Sequence, residues 1–115
     1  MATILIIEDN ETLREGIKQV VKRMNHRPIT AANGRIGLEL FASEEPDLIL
    51  TDLKMDEIDG MEVLRSVQAT DPEMLVMIVT AFGSIERAVE AMKEGAFDFI
   101  PKPFPPDLLR TKINK

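Results

Sequence analysis

Short, β-rich apolar runs alternate with helical periods five times along this chain, and no other feature restricts its fold more. Ile4 to Ile7 is a continuous apolar run, suited to a strand covered on both faces. Leu13, Ile17, Val20, Val21 and Met24 then follow one helix face, with Asn10 placed as an N-cap. Pro28 to Ala31 is a second, weaker strand, and Asn33-Gly34 starts a helix carrying Ile36, Leu40 and Phe41. Leu48 to Thr51 is a third strand. Asp59 and Glu62 have capping-box spacing ahead of a helix with Met61, Leu64 and Val67. Met74 to Val79 is the strongest buried strand. Ser84 caps a helix whose apolar face is predicted to be Ile85, Ala88, Val89 and Met92, and Gly95 stands where a C-cap glycine belongs. Ala96 to Ile100 is the fifth strand, and Pro105-Pro106 opens a last helix with Leu108, Leu109 and Ile113. Strands linked through helices require right-handed crossovers, hence a parallel sheet with helices on both faces. At 115 residues the chain is predicted to be one domain, residues 1–115.

Composition removes several function classes. With no cysteine, thiolate metal sites and thiol nucleophiles are excluded, and one histidine, His26, cannot make a multi-histidine site. Lys and Arg number 14 against 20 Asp and Glu, so the net charge is −6, which argues against direct binding of nucleic acid. No Trp or Tyr and five Phe leave little for an aromatic base-stacking platform. The longest apolar run, Met74 to Val79, is far short of the roughly 20 residues of a spanning helix. With no basic region ahead of Ile4, a cytoplasmic location with no membrane partner is expected.

In an open α/β sheet, ligands bind beyond the carboxyl ends of the strands. The residues there are Glu8 and Asp9 after the first strand, Asp52 after the third, Thr80 after the fourth and Lys102 after the fifth. If the first and third strands are neighbours, three carboxylates converge. Two unit charges about 4 Å apart repel by roughly 4 kcal/mol at an effective dielectric of 20. A hard divalent cation offsets this, and oxygen-only ligands suit Mg²⁺ or Mn²⁺ rather than Zn²⁺. A cation, a lysine and a hydroxyl around an aspartate that needs no activating base point to a metal-assisted aspartyl phosphate. Taken singly, each residue has a plainer role: Glu8-Asp9 favouring a helix N-terminus, Asp52 a loop acid, Thr80 a β-branched strand residue, Lys102 facing solvent.

The segments Ile6-Ile7-Glu8-Asp9-Asn10, Leu50-Thr51-Asp52-Leu53-Lys54-Met55, Ile58-Asp59-Gly60, Val79-Thr80-Ala81 and Lys102-Pro103 resemble the receiver domain of two-component response regulators in order and spacing. The resemblance implies a three-layer, flavodoxin-like (βα)5 fold with strand order 2-1-3-4-5. It implies that Asp52 accepts a phosphoryl group from a sensor histidine kinase or a small phosphodonor. It further implies a Mg²⁺ site made by Asp9 directly, Glu8 through water, Asp52, and Lys54 by its backbone carbonyl. Lys102 would hold the phosphoryl oxygen, Lys102-Pro103 would be a cis peptide, and Thr80 would move to the phosphoryl group. Phe99 would be the aromatic switch, and Lys54 and Phe82 would tune phosphoryl lifetime. The face of the fourth helix, fifth strand and last helix would then dimerise or meet an output domain. The stretches around Thr80 to Ile85 and Phe97 to Phe104 are similar to receivers of ATP-driven, enhancer-binding transcription activators. That likeness implies the N-terminal module of a longer regulator.

One departure stands out, since Asp56-Glu57 occupies positions where the family often has Pro-Gly. The alternative is a phosphatase or phosphotransferase with a nucleophilic Asp. Such enzymes usually carry a general acid two residues after the nucleophile, where this chain has Lys54. A flavin-binding carrier is disfavoured, since Glu8-Asp9 would repel a phosphate where its phosphate loop belongs. Asp56 to Gly60 lacks the ligand spacing of an EF-hand.

Overall fold

A computed structural model of the chain describes residues 1–55, 58–80, 85–102 and 104–114. The elements are β1 (Thr3–Ile7), α1 (Glu11–Arg23), β2 (Arg27–Ala31), α2 (Gly34–Glu44), β3 (Leu48–Asp52), α3 (Gly60–Thr70), β4 (Leu75–Thr80), α4 (Ile85–Lys93), β5 (Asp98–Pro101) and α5 (Pro106–Ile113). The five strands form one parallel sheet in the order β2-β1-β3-β4-β5. This is the flavodoxin-like arrangement expected from the sequence.

The continuous apolar runs read as they do because alternate residues serve opposite faces. Leu5, Ile7, Ile49, Val76 and Ile78 pack with Met61, Leu64 and Val67 of α3 and Ala91 of α4, with α2 residues such as Ile36 and Phe41 against them. Ile4, Ile6, Leu50, Met77, Val79 and Ile100 pack on the other face with Ile17, Val20 and Val21 of α1 and Leu109 of α5. Three helices therefore cover one face and two the other.

Local signals act as expected at most helix starts. Asn10 accepts from the Leu13 amide at 2.9 Å, Asn33 from Ile36 at 2.8 Å and Asp59 from Glu62 at 3.0 Å. Gly95 has φ of +111°, the left-handed region that a helix C-terminus calls for.

Four element readings shift. β3 extends to Asp52, which pairs in register with Val79, so this acid is strand backbone rather than loop. β4 runs from Leu75 to Thr80 instead of Met74 to Val79; Met74 is buried, but its amide closes a turn onto the Asp71 carbonyl at 3.1 Å. β5 is only Asp98 to Pro101, because Ala96 bonds back to Ala91 and belongs to the helix exit. Pro101 is tolerated because β5 is an edge strand. On α4 the buried positions are Ala88 and Ala91, while Val89 and Met92 are 45% and 38% exposed. Small side chains let the helix lie close to the sheet, which hydropathy alone does not reveal. The Ser84 cap, the Ile85 side chain, Asp56-Glu57, the Ala81 end of one motif, Phe82 and the Lys102-Pro103 peptide all lie outside the described residues.

Candidate functional site

Adjacency of β1 and β3 brings together the acids that follow them. Ile7 pairs with Thr51, so Glu8 and Asp52 leave the sheet side by side. Carboxylate oxygens of Glu8, Asp9 and Asp52 lie within 4.8 Å of one another. Glu8 is 1% exposed and Asp52 4%, whereas Asp9 is exposed. Thr80, at the end of β4, is fully buried, and its carbonyl accepts the Lys102 amide at 2.7 Å. That bond carries the β4–β5 pairing one residue past Pro101 and delivers Lys102 to the same edge.

Lys102 reaches back over the acids. Its Nζ donates to Asp52 Oδ2 at 2.8 Å and lies 3.1 Å from Glu8 Oε1. The other Asp52 oxygen, Oδ1, accepts the Lys54 amide at 3.2 Å. Burial works against the Lys102 ammonium, but the hydrogen bond and charge of Asp52, then the charge of Glu8, reverse this and hold its pKa above the ordinary lysine value. Lys102 is therefore a cation fixed among carboxylates, not the solvent-facing lysine of its plainer reading.

Glu8 is held at several points. Its amide continues the β1–β2 ladder to the Ala31 carbonyl at 3.1 Å. Oε2 accepts the Asn10 amide at 3.0 Å. The backbone carbonyl accepts Nη1 of Arg14 at 2.9 Å. Oε1 is buried without a well-aligned hydrogen bond among the described residues; Lys102 supplies countercharge but not alignment. Burial pushes the Glu8 carboxyl up to about 7; the Asn10 amide opposes this, and Asp9 and Asp52 add to it.

This has a measurable consequence in metal-free protein. Below about pH 4.5 Glu8 is protonated in both folded and unfolded chains, and up to about pH 7 only the folded chain keeps the proton. The stability so contributed is complete at low pH and is lost as pH rises through 7. Urea unfolding in chelator at pH 5 and pH 8 should show wild type losing on the order of 2 kcal/mol relative to Glu8→Gln. Parallel pH dependence of the two proteins would contradict the assignment.

The donor set suits a hard cation: three carboxylates, one buried oxygen lacking a hydrogen bond, and a single lysine that leaves the cluster with excess negative charge. Nothing soft or imidazole-based is present in it.

Other predicted positions fall nearby or apart. Phe99 lies on β5, half-buried, with Lys112 Nζ 5.7 Å from its ring centroid and bonded to Asp98 at 3.1 Å. Lys54 presents an exposed side chain at the edge of the cluster. Sequence reasoning missed Arg14, although its place between Leu13 and Ile17 on the inner stripe of α1 was a signal. It also assigned no role to Gly60, where an added Cβ would collide with the Asp52 carbonyl oxygen. Among the described residues, no helix is long and apolar enough to cross a membrane.

Comparison with known proteins agrees with this geometry. Residues 4–114 match the family described as "Response regulator receiver domain". Regulatory protein AtoC of Escherichia coli K12 is 35% identical over 97% of this chain, which covers 24% of that protein. Sporulation initiation phosphotransferase F of Bacillus subtilis is 33% identical over 97% of this chain and 90% of its own length. A crystal structure of a response regulator receiver domain protein from Clostridium thermocellum superposes with a TM-score of 0.95. It is 35% identical and covers 99% of this chain and 92% of its own. The chain spans about a quarter of the length of the first curated relatives it matches.

Proposed function

This chain belongs to the response regulator receiver domain family, and from that premise we propose that it is a phosphorylation switch whose acceptor is Asp52. The observation that carries the reading is the meeting of Asp52 with Glu8, Asp9 and Lys102 at one sheet edge, with Lys102 Nζ 2.8 Å from Asp52 Oδ2. A carboxylate oxygen of Asp52 attacks the phosphorus of a phosphohistidine on a sensor histidine kinase, or of a small phosphodonor. The P–O bond forms as the donor's P–N or P–O bond breaks, and the leaving atom keeps the electron pair. Lys102 turns from the carboxylate to an oxygen of the arriving group, and the Thr80 hydroxyl moves to another. Asp9, Asp52, Glu8 through water and the Lys54 carbonyl would hold Mg²⁺, or Mn²⁺ in its place, and that cation would supply neutralisation of charge on the phosphoryl oxygens.

Phosphorylation adds a charge of about −1.5 to −2 and new acceptor oxygens. The displacement of Thr80 lets Phe99 turn inward and remodels the face of α4, β5 and α5. That change is a population shift between two packings. This face, with Val89 and Met92 exposed on α4, is the proposed contact for a second phosphorylated copy or for an output domain C-terminal to residue 115. The output that fits the relatives is transcription activation of the enhancer-binding type, with residues 1–115 as the N-terminal module. Lys54 and Phe82 tune phosphoryl lifetime, and Lys102-Pro103 is cis. The protein acts as a switch on itself and not as an enzyme on a separate substrate.

A Mg²⁺ titration followed by amide resonances tests the cofactor assignment. Saturable shifts are expected at residues 8, 9, 52 and 54, with affinity at least tenfold weaker in Asp9→Asn. Equal affinity in that variant would remove Asp9 from the ligand set.

A further inference from the structure

We propose that Arg14 is a positioning residue for the acidic cluster, fixing the peptide from which both Glu8 and Asp9 depart; this rests on the reading of those two acids as Mg²⁺ ligands. β1 ends at Ile7, yet Glu8 is buried, so its carbonyl lies beyond the last strand residue in surroundings that demand a donor. Arg14, on α1 and later in the same chain, supplies it at 2.9 Å.

The use of this guanidinium is selective. Of the six other arginines, Arg27, Arg35, Arg65, Arg87 and Arg110 each lie within 4.0 Å of a carboxylate, and Arg23 has none that close among the described residues. Among the described residues Arg14 has no carboxylate that close, although three converge near the carbonyl it holds. Its bond goes to backbone instead. The Glu8 carbonyl and the Asp9 amide belong to one planar peptide unit. Holding the oxygen therefore orients the plane from which the Asp9 Cα leaves. The same residue's amide is fixed by Ala31 and its carboxylate by the Asn10 amide. Asp9 is exposed, so the direction of this peptide matters more for it than packing does. Arginine suits the task because a rigid planar fork keeps its donor in place; lysine offers a shorter reach and a point charge.

The sign of the effect separates positioning from charge. Arg14 is a cation near a cation site, so through-space electrostatics alone would weaken Mg²⁺ binding, and removing the charge would tighten it. Positioning predicts the reverse. Mg²⁺ titrations followed by amide resonances compare wild type, Arg14→Met and Arg14→Lys at equal folded fraction. The expected result is about tenfold weaker binding in Arg14→Met and an intermediate value in Arg14→Lys. If Arg14→Met does not fold, the intermediate loss in Arg14→Lys carries the test. Unchanged or tighter binding in the variants, with Asp9→Asn still defective, overturns the role of Arg14 alone. Absence of Mg²⁺ binding in wild type overturns the ligand reading and this role with it.

Discussion

Replacing Lys102 by methionine is expected to destabilise the metal-free protein while strengthening its affinity for Mg²⁺. The lysine is the cation that Glu8 and Asp52 share at 3.1 and 2.8 Å, and both acids are buried. Removing one partner of a buried ion pair strands the other charge. A fully buried pair would lose about 3–5 kcal/mol. Lys102 is 25% exposed on its side chain, so the loss at pH 8 should be on the order of 2 kcal/mol. At pH 5 it should shrink, because Glu8, with its carboxyl near 7, is already neutral there and only Asp52 loses its countercharge. Mg²⁺ then meets less competition and restores stability. Phosphoryl uptake should nonetheless fall about a hundredfold, since a preorganised cation is missing where charge develops. Urea unfolding in chelator and in Mg²⁺, with uptake from acetyl phosphate, checks all three. A loss below about 0.5 kcal/mol at both pH values would make Lys102 an ordinary surface lysine.

Alanine at Gly60 and at Gly16 should have opposite signs. Gly16 is inside α1, where helix propensity alone favours alanine by roughly 0.8–1 kcal/mol, whereas Gly60 is the first residue of α3. At Gly16, on the exposed side of α1, an added Cβ meets nothing within 4 Å, so the gain should be realised. At Gly60 the same Cβ would collide with the Asp52 carbonyl oxygen and sit 2.6 Å from Leu53 Cα. Both obstacles are backbone, and the Gly60 amide is tied to the Leu53 carbonyl at 2.9 Å. Either α3 or the end of β3 must move. A net loss of about 2–3 kcal/mol is expected, with slower phosphoryl uptake because the displaced backbone carries Asp52. Chemical unfolding of the two variants gives the signs; a stabilised Gly60→Ala would contradict the close approach.

Much of this architecture is legible in the residues because strands buried on both faces must be apolar throughout. Ile4 to Ile7 and Leu48 to Leu50 could hardly be anything else, and the acids after them could only lie at the sheet's carboxyl edge. Errors arose where size outweighed hydropathy or where a residue is buried without being paired. Ala88 is buried as expected, but Ala91 is buried where Val89 and Met92 were expected, because the helix packs close. Met74 is buried yet belongs to a turn.

The convergence of Glu8, Asp9 and Asp52 followed from strand ends once β1 and β3 were neighbours. The partners of Lys102 did not, because they depend on the edge bond between its amide and Thr80. Arg14 and Gly60 act through backbone atoms of other residues. Such contacts leave little mark in composition or periodicity; the place of Arg14 on the inner stripe of α1 was the one trace, and Gly60 left none.

Asp52 is the residue expected to carry the phosphoryl group. Intact-protein mass after incubation with acetyl phosphate and Mg²⁺, in parallel for wild type and Asp52→Asn, tests it most directly. Wild type should gain the mass of one phosphoryl group, the gain should be lost when Mg²⁺ is chelated, and Asp52→Asn should show none. Equal gain in the variant, or no gain in wild type alongside repeated hydrolysis of phosphate monoesters, would contradict it.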